Sequence, residues 1–200
     1  MPFFTIIASY YQVTTDKEIF KRFVDSLRQQ SFMDFEVLIY HDGPMYYQIE
    51  SPYQIFCTPE RFNLWGHPQR FIGLKQAKGK YILHTNIDNA YNLHALQNLY
   101  DTINKTHTDI MIAKVEMMGL NHGNGKIWYD QPRDYSKSVT LSGNPPVYGN
   151  IDLMQAVIAK KIWDQYGWFC FKEQADGIIY QKICSENKYI CTDTIIGKHY

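Results

Sequence analysis

A chain of 200 residues buries roughly 70–75% of the surface it exposes when unfolded, so its core needs no disulfide or metal staple. Hydrophobic residues at 45% and charged residues at 20% exclude an intrinsically disordered chain. Twenty basic and twenty acidic residues cancel to a formal charge of +0, which argues against a generic basic nucleic-acid binder or a polybasic membrane-surface protein.

In chain order, Phe3–Ala8 is a short apolar run of β-formers and predicts a strand buried on both faces. Thr15-Asp16-Lys17-Glu18 has the spacing of a capping box. Phe20, Phe23, Val24 and Leu27 then form one apolar helical stripe. Phe35–Tyr40 predicts a second strand, stopped by Asp42-Gly43-Pro44. Phe71, Leu74 and the stem of Lys75 predict a short helix ended by Gly79. Tyr81–Thr85 predicts a third strand, Leu96, Leu99, Tyr100 and Ile103 a helix, and Ile110–Val115 a fourth strand.

Beyond Val115 the pattern changes. Gly119–Gly125 and Ser142–Asn150 read as loops, with a strand expected over Lys126–Asp130. Met154, Val157, Ile158 and Ile162 predict a helix, and Ala175, Ile178, Ile179 and Ile183 another. Tyr189–Ile196 predicts the last strand, followed by a polar tail, Gly197-Lys198-His199-Tyr200. No internal repeat, low-complexity tract or linker divides the chain, so one domain is expected over residues 1–200. Strand–helix alternation predicts an α/β fold with a mostly parallel central sheet and helices on both faces. Ligands of such sheets sit beyond the carboxyl ends of the strands, here Ser9–Tyr11, His41–Pro44 and Thr85–Tyr91.

Several chemistries lose their motif. No Gly-x-x-x-x-Gly-Lys-Ser/Thr loop and no Gly-x-Gly-x-x-Gly turn after the first strand is present, which argues against a P-loop NTPase and a dinucleotide-binding dehydrogenase. The seven histidines lack His-Glu-x-x-His spacing, and no Gly-x-Ser-x-Gly elbow occurs. Cys57, Cys170, Cys184 and Cys191 form no Cys-x-x-Cys pair and are expected to be reduced. Asn104-Lys105-Thr106 has the form of a glycosylation sequon, read as a chance occurrence because Met1-Pro2-Phe3 carries no basic leader. With no apolar run near the ~18 residues of a membrane span, a soluble, cytoplasmic protein is expected.

Polar residues at the strand ends remain. In an extended segment Asn86 and Asp88 point the same way and converge on one ligand, a carboxylate and an amide oxygen suited to a hard divalent ion also held by phosphates. Equally, Asp88-Asn89 is a helix cap. Asp42 accepts hydrogen bonds from a base or ribose, or forms an Asx-turn. Tyr10, Tyr11, Trp65 and Trp168 suit either stacking on a base or sugar, or core packing. His41-Asp42 gives no hydrolase, since neither a nucleophile nor a metal partner accompanies it.

The order of Thr5-Ile6-Ile7-Ala8-Ser9-Tyr10-Tyr11, Ser26–Phe32 and Phe35–Gly43, continued by Arg70, Gly73, Ala77–Ile82 and Asn86-Ile87-Asp88-Asn89, resembles the opening of family 2-type glycosyltransferases with the GT-A fold. That resemblance covers residues 3–104 well and is looser beyond. It implies a nucleotide-sugar-binding half over 1–115 and an acceptor and catalytic half over 116–200. Ala8, Ser9, Tyr10 and Ile87 would line the nucleotide pocket, Asp42 would read the uracil edge, and Arg70 would lie near the pyrophosphate. Asn86-Ile87-Asp88 occupies the place of the Asp-x-Asp motif, with Asp88 the metal ligand. Asn86 departs from that motif, an amide that still bonds the ribose or a metal-bound water, and Asn89 stands where many members keep a third acid.

In the C-terminal half, Trp163…Gly167-Trp168…Glu173-Gln174-Ala175-Asp176-Gly177-Ile178 is similar to the segment supplying the catalytic carboxylate. Asp176 is the first choice for that role and Glu173 the second, although Asp176 reads equally as a cap of the helix bearing Ile178 and Ile179. His199 corresponds to the C-terminal histidine that completes the metal site in many GT-A enzymes, while Asp152 and Trp168 would hold the acceptor. The implied activity is metal-dependent transfer from a UDP-hexose to a glycan, lipid or protein hydroxyl, with inversion. Nitrogen beside oxygen ligands favours Mn²⁺ over Mg²⁺. The alternative is a GT-A-like protein that binds nucleotide or glycan without turnover.

Overall fold

The first strand, β1 (Phe4–Tyr10), is buried along its whole length. It lies between β2 (Phe35–His41) and β4 (Tyr81–Asn86), both parallel to it. With neighbours on both edges and cover on both faces, the strand reads as a mostly apolar run broken only by the small polar Thr5 and Ser9. The computed structural model describes residues 1–200 except 12–16, 47, 120–121, 124–125 and 128–133; of 122–123 and 126–127 it describes the backbone alone. The expected capping box at Thr15-Asp16 therefore lies outside the described residues, as does the end of the strand expected over Lys126–Asp130.

Helix α1 (Lys17–Arg28) buries the stripe of Phe20, Phe23, Val24 and Leu27 that its sequence presents. A short strand, β3 (Gln54–Cys57), adds in parallel outside β2. Helix α2 (His67–Gln76) departs from its apolar pattern, because its buried face is His67, Gln69, Arg70 and Gly73 while Phe71 is exposed. It ends at Ala77, whose N–H bonds the Gly73 carbonyl, rather than at Gly79. Gly79 instead lets its N–H reach Thr5 Oγ1 at 2.7 Å, an approach that a Cβ 2.6 Å from that oxygen would block.

After β5 (Asn89–Tyr91), helix α3 (Ala95–Thr106) buries Leu96, Leu99 and Ile103. It leads to the long strand β6 (Ile110–Gly119). A two-stranded ribbon, β7 (His122–Gly123) with β8 (Lys126–Ile127), precedes β9 (Asp134–Leu141), which returns antiparallel along β6. The helix expected through Met154, Val157, Ile158 and Ile162 is instead three pieces. A 3₁₀ turn spans Leu153–Gln155, followed by strand β10 (Ala156–Ala159) and helix α4 (Lys160–Tyr166). All four residues of β10 are buried, and a short, wholly buried apolar run has no period to distinguish strand from helix.

Helix α5 (Ala175–Glu186) forms as expected, although Ile178 is exposed and Tyr180 buried. The final strand β11 (Ile190–His199) takes in residues read as a tail: Gly197, Lys198 and His199 pair with Tyr91, Ala90 and Asn89 of β5. Strand order is β3-β2-β1-β4-β10-β6-β11-β5, with β9 beside β6. The strands from β3 to β4 are mutually parallel, and β10 enters antiparallel to both β4 and β6, so the sheet of this single α/β domain is mixed. The carboxyl ends of β1, β2 and β4 come to one edge, beside the junction where β11 meets β5. No helix of the described residues is long and apolar enough to cross a membrane.

Candidate functional site

Ser9, Asp42 and Asn86-Ile87-Asp88, from the ends of three adjacent strands, open into one cleft of about 1010 Å³. Tyr10, Tyr11, Trp65, Gly66, Arg22, Tyr135 and Tyr200 also line it. Of the nucleotide-site residues expected from sequence, Ala8 and Arg70 do not line this cleft, Ala8 being fully buried within β1 and Arg70 almost fully buried on α2. Tyr10 reaches it with a largely buried ring packed on Phe20 and His41.

Asp42 holds a loop. One carboxylate oxygen accepts the Phe62 N–H at 2.9 Å and the Gln69 Nε2 at 2.6 Å, and the other accepts the Asn63 N–H at 3.0 Å. The loop so clamped is left-handed at Asn63, Trp65 and Gly66. At Gly66, with φ +77°, a Cβ would stand 2.2 Å from Ser9 Oγ and 2.8 Å from Arg70 Nη1, so only glycine closes this turn. Above the loop, the Arg61 guanidinium covers the Tyr11 ring at 3.4 Å.

Arg70 is the centre of the site's polar network, although only 1% of it is exposed. Its Nη1 donates to the Trp65 carbonyl at 2.7 Å, and its Nη2 to Ser9 Oγ at 2.9 Å and to Asn86 Oδ1. The Ser9 hydroxyl donates to the same Asn86 oxygen at 2.9 Å. All three acceptors are neutral. Burial lowers the Arg70 pKa to about 10, which leaves it charged at neutral pH. Burial and that charge hold His67 down at about 4 and His84 well below the ordinary histidine range, so both rings are neutral beside it.

Beneath lies an aromatic layer. Trp168, 1% exposed, stacks on Trp163 and His67, meets His84 edge-on, and sits 5.6 Å from the Arg70 guanidinium. This places it in the core rather than on an acceptor-facing surface. Asn89 is likewise fully buried, donating to Thr85 Oγ1 at 3.0 Å.

Asp88 lines the cleft, and its carbonyl accepts Arg22 Nη2 at 3.1 Å. Asp152 caps the 3₁₀ turn by accepting the Met154 N–H at 3.0 Å, and its other oxygen lies 3.0 Å from His199 Nδ1. Burial pushes Asp152 up, yet His199 and the N–H groups of Met154 and Leu153 outweigh it and hold the carboxyl below its usual range. Among the described residues no group of three or more His, Cys, Asp and Glu is arranged to hold a metal ion.

Asp176 stands in the first turn of α5, half-buried, and accepts the N–H of Gly177 at 2.8 Å. Burial, and then the charge of Asp152, raise its pKa to about 6. Gly177 permits the loop over residues 142–150 to approach, since a Cβ there would come within 2.7 Å of Tyr148 Cα. Glu173 is exposed. The structure thus couples Asp152, Asp176 and Arg70 electrostatically and leaves Glu173 outside. Sequence reading missed Gln69, Gly66, Arg22 and Tyr200. The His67-Pro68 start of α2 was the available signal for the first two, since proline in the first turn places Gly66 at the cap.

A family model described as Glycosyl transferase family 2 matches residues 5–164. No curated protein matches the chain. Among solved structures, S. aureus TarS has a TM-score of 0.75 at 17% identity, over 98% of this chain and 36% of that one. A structure of TarS 1-349 in complex with UDP gives 0.70 at 16% identity, covering 98% and 59%. The mannosyltransferase PcManGT from Pyrobaculum calidifontis, in complex with GDP-Man and Mn²⁺, gives 0.67 at 14%, covering 98% and 56%. At such identities the likeness establishes the fold, and this chain spans less than two thirds of each of those chains.

Proposed function

Because the chain belongs to glycosyl transferase family 2, we propose that it moves a hexose from a UDP-sugar to a hydroxyl of a glycan, lipid or protein acceptor, with inversion. The observation that carries this reading is the convergence of Ser9, Asn86 and Asp88 on a cleft of about 1010 Å³, underlain by the buried charge of Arg70. Such a volume takes a ligand of nucleotide-sugar size. Residues 1–115 hold the donor in this reading, and residues 116–200 supply Asp152, Asp176 and His199.

As the anomeric C–O bond breaks, negative charge grows on the leaving diphosphate. Arg70 is a fixed positive charge beneath that position, preorganised by Ser9, Asn86 and Trp65, and such a charge costs no reorganisation during reaction. The acceptor oxygen attacks the anomeric carbon from the opposite face and gives its proton to Asp176 as the bond to the diphosphate oxygen breaks. A pKa near 6 keeps Asp176 ionised at neutral pH while leaving it basic enough to take the proton. Asp152, held by His199, orients the acceptor hydroxyl.

A divalent ion, Mn²⁺ or Mg²⁺, fits this donor set when phosphate oxygens complete its shell. Asp88 would supply a carboxylate and His199 a ring nitrogen, its Nδ1 already on Asp152 in the orientation that metal-binding histidines adopt. Such an ion neutralises the leaving diphosphate.

Thermal unfolding with UDP, GDP and CMP, each with Mn²⁺ or with chelator, tests the proposal. UDP is expected to raise the transition most. No shift with any of the three nucleotides would end the donor assignment.

A further inference from the structure

Arginine has only donors. The atom of Asn86 that faces Arg70 Nη2 is therefore the amide oxygen, and the hydroxyl of Ser9 also donates to it. Two donors use both lone pairs of Oδ1, so that oxygen has nothing left to offer a cation. The Nδ2 group has no protein acceptor among the described residues, and Asn86 lines the cleft, half-buried. Arg70, enclosed and hydrogen-bonded only to neutral groups, polarises the amide and strengthens Nδ2 as a donor. A carboxylate at position 86 would act in the reverse sense, pairing with Arg70 and cancelling the charge beneath the cleft.

We infer that Asn86 is an anion-binding residue: Arg70 fixes its amide so that Nδ2 donates to a diphosphate oxygen, and residue 86 takes no part in holding a cation. This rests on the nucleoside-diphosphate reading of the cleft. It makes part of the diphosphate affinity independent of any metal, whatever Asp88 and His199 hold. The segment Asn86-Ile87-Asp88 is thereby divided by chemistry, with an anion donor at its first position and a cation ligand at its third.

Calorimetric titration of UDP into the full chain, in chelator and in Mn²⁺, tests this with the wild type, Asn86→Asp and Asn86→Ala. The wild type is expected to bind UDP in chelator. Asn86→Ala loses about tenfold or more there, the loss that a hydrogen bond to a charged group represents. Asn86→Asp loses more in chelator and regains affinity in Mn²⁺. Wild-type binding that requires Mn²⁺ would overturn the inference and leave the donor reading intact, as would an Asn86→Asp variant that binds in chelator like the wild type. Absence of UDP binding under both conditions would overturn both.

Side-chain amide NMR of the wild type, in chelator with inorganic pyrophosphate, gives a readout independent of variant folding. The Asn86 Nδ2 protons are expected to shift. Unmoved resonances at saturating pyrophosphate would sink the assignment.

Discussion

As the proposed base, Asp176 carries two opposed demands: burial and Asp152 disfavour its charge, raising its pKa to about 6, while a base must be ionised to accept a proton. Turnover is therefore expected to fall as pH drops through about 6, an acid limb that a pH profile of kcat/KM will show. Asp176→Asn should lower kcat by roughly 10²- to 10⁴-fold with UDP affinity unchanged by calorimetry. Near-normal turnover would move the base to Glu173. The same substitution has a signed effect on stability. A carboxyl raised in the folded state stabilises below its unfolded pKa, and that contribution is lost as pH rises through the folded value. At pH 7.5 Asp176→Asn should then be more stable than the wild type by on the order of 2 kcal/mol, a gain that vanishes near pH 3.5. Equal stabilities at both pH values in urea titrations would contradict the shifted carboxyl.

Elements tell a different story from residues, because their edges decide which loops meet. The pairing of β11 with β5 ends the sheet and brings His199 level with Asn89. Gly197 makes this possible, since a Cβ there would stand 2.2 Å from the Ala90 carbonyl oxygen, a backbone atom that cannot swing aside. Gly197→Ala is expected to part the two strands at a cost of about 1–3 kcal/mol and to weaken UDP binding. Unchanged calorimetry and an unchanged unfolding midpoint would show that the strand junction tolerates the methyl group. Legibility varied by element for definite reasons. The stripe of α1 buries apolar side chains at the helical period, while the runs of β1, β2 and β4 are short and rich in β-formers, and the pattern shows both. Helix α2 buries His67, Gln69 and Arg70 instead, and only partners on other elements make that burial affordable. Strand β10 was misread because its four buried residues fall in line with the helical spacing of Met154 and Ile162, and the tail at Gly197–His199 because glycine, lysine and histidine carry no apolar signal, although the strand lies between β6 and β5.

At the scale of the whole molecule, the cleft is lined by the ends of β1, β2 and β4, so the proposed nucleotide would touch all three at once. It would therefore bind only the folded sheet. At a hundredfold excess over its dissociation constant, such a ligand adds about 2.7 kcal/mol of apparent stability. Unfolding should remain one cooperative transition that moves as a unit with UDP, since β10 joins β4 of the first half to β6 and the strands beyond it in one sheet. Two separated calorimetric transitions, with only the lower one moved by UDP, would contradict that coupling.

The amino-acid sequence by itself determined the alternation of strands and helices, the polar residues at the strand ends, and the family order from Thr5 to Asn89, because each is written in neighbours or in a short period. Only the tertiary structure decided where those polar residues lie and which groups they meet. Asp42, at the cleft wall, spends its carboxylate on the N–H groups of Phe62 and Asn63 and on Gln69. Trp168 went to the core, and Asp176 took a pKa near 6. The amide of Asn86 was oriented by Arg70 and Ser9. Each of these depends on burial and on a partner from another element, and hydrogen-bond direction and charge shifts are set by that enclosure, which no local pattern encodes.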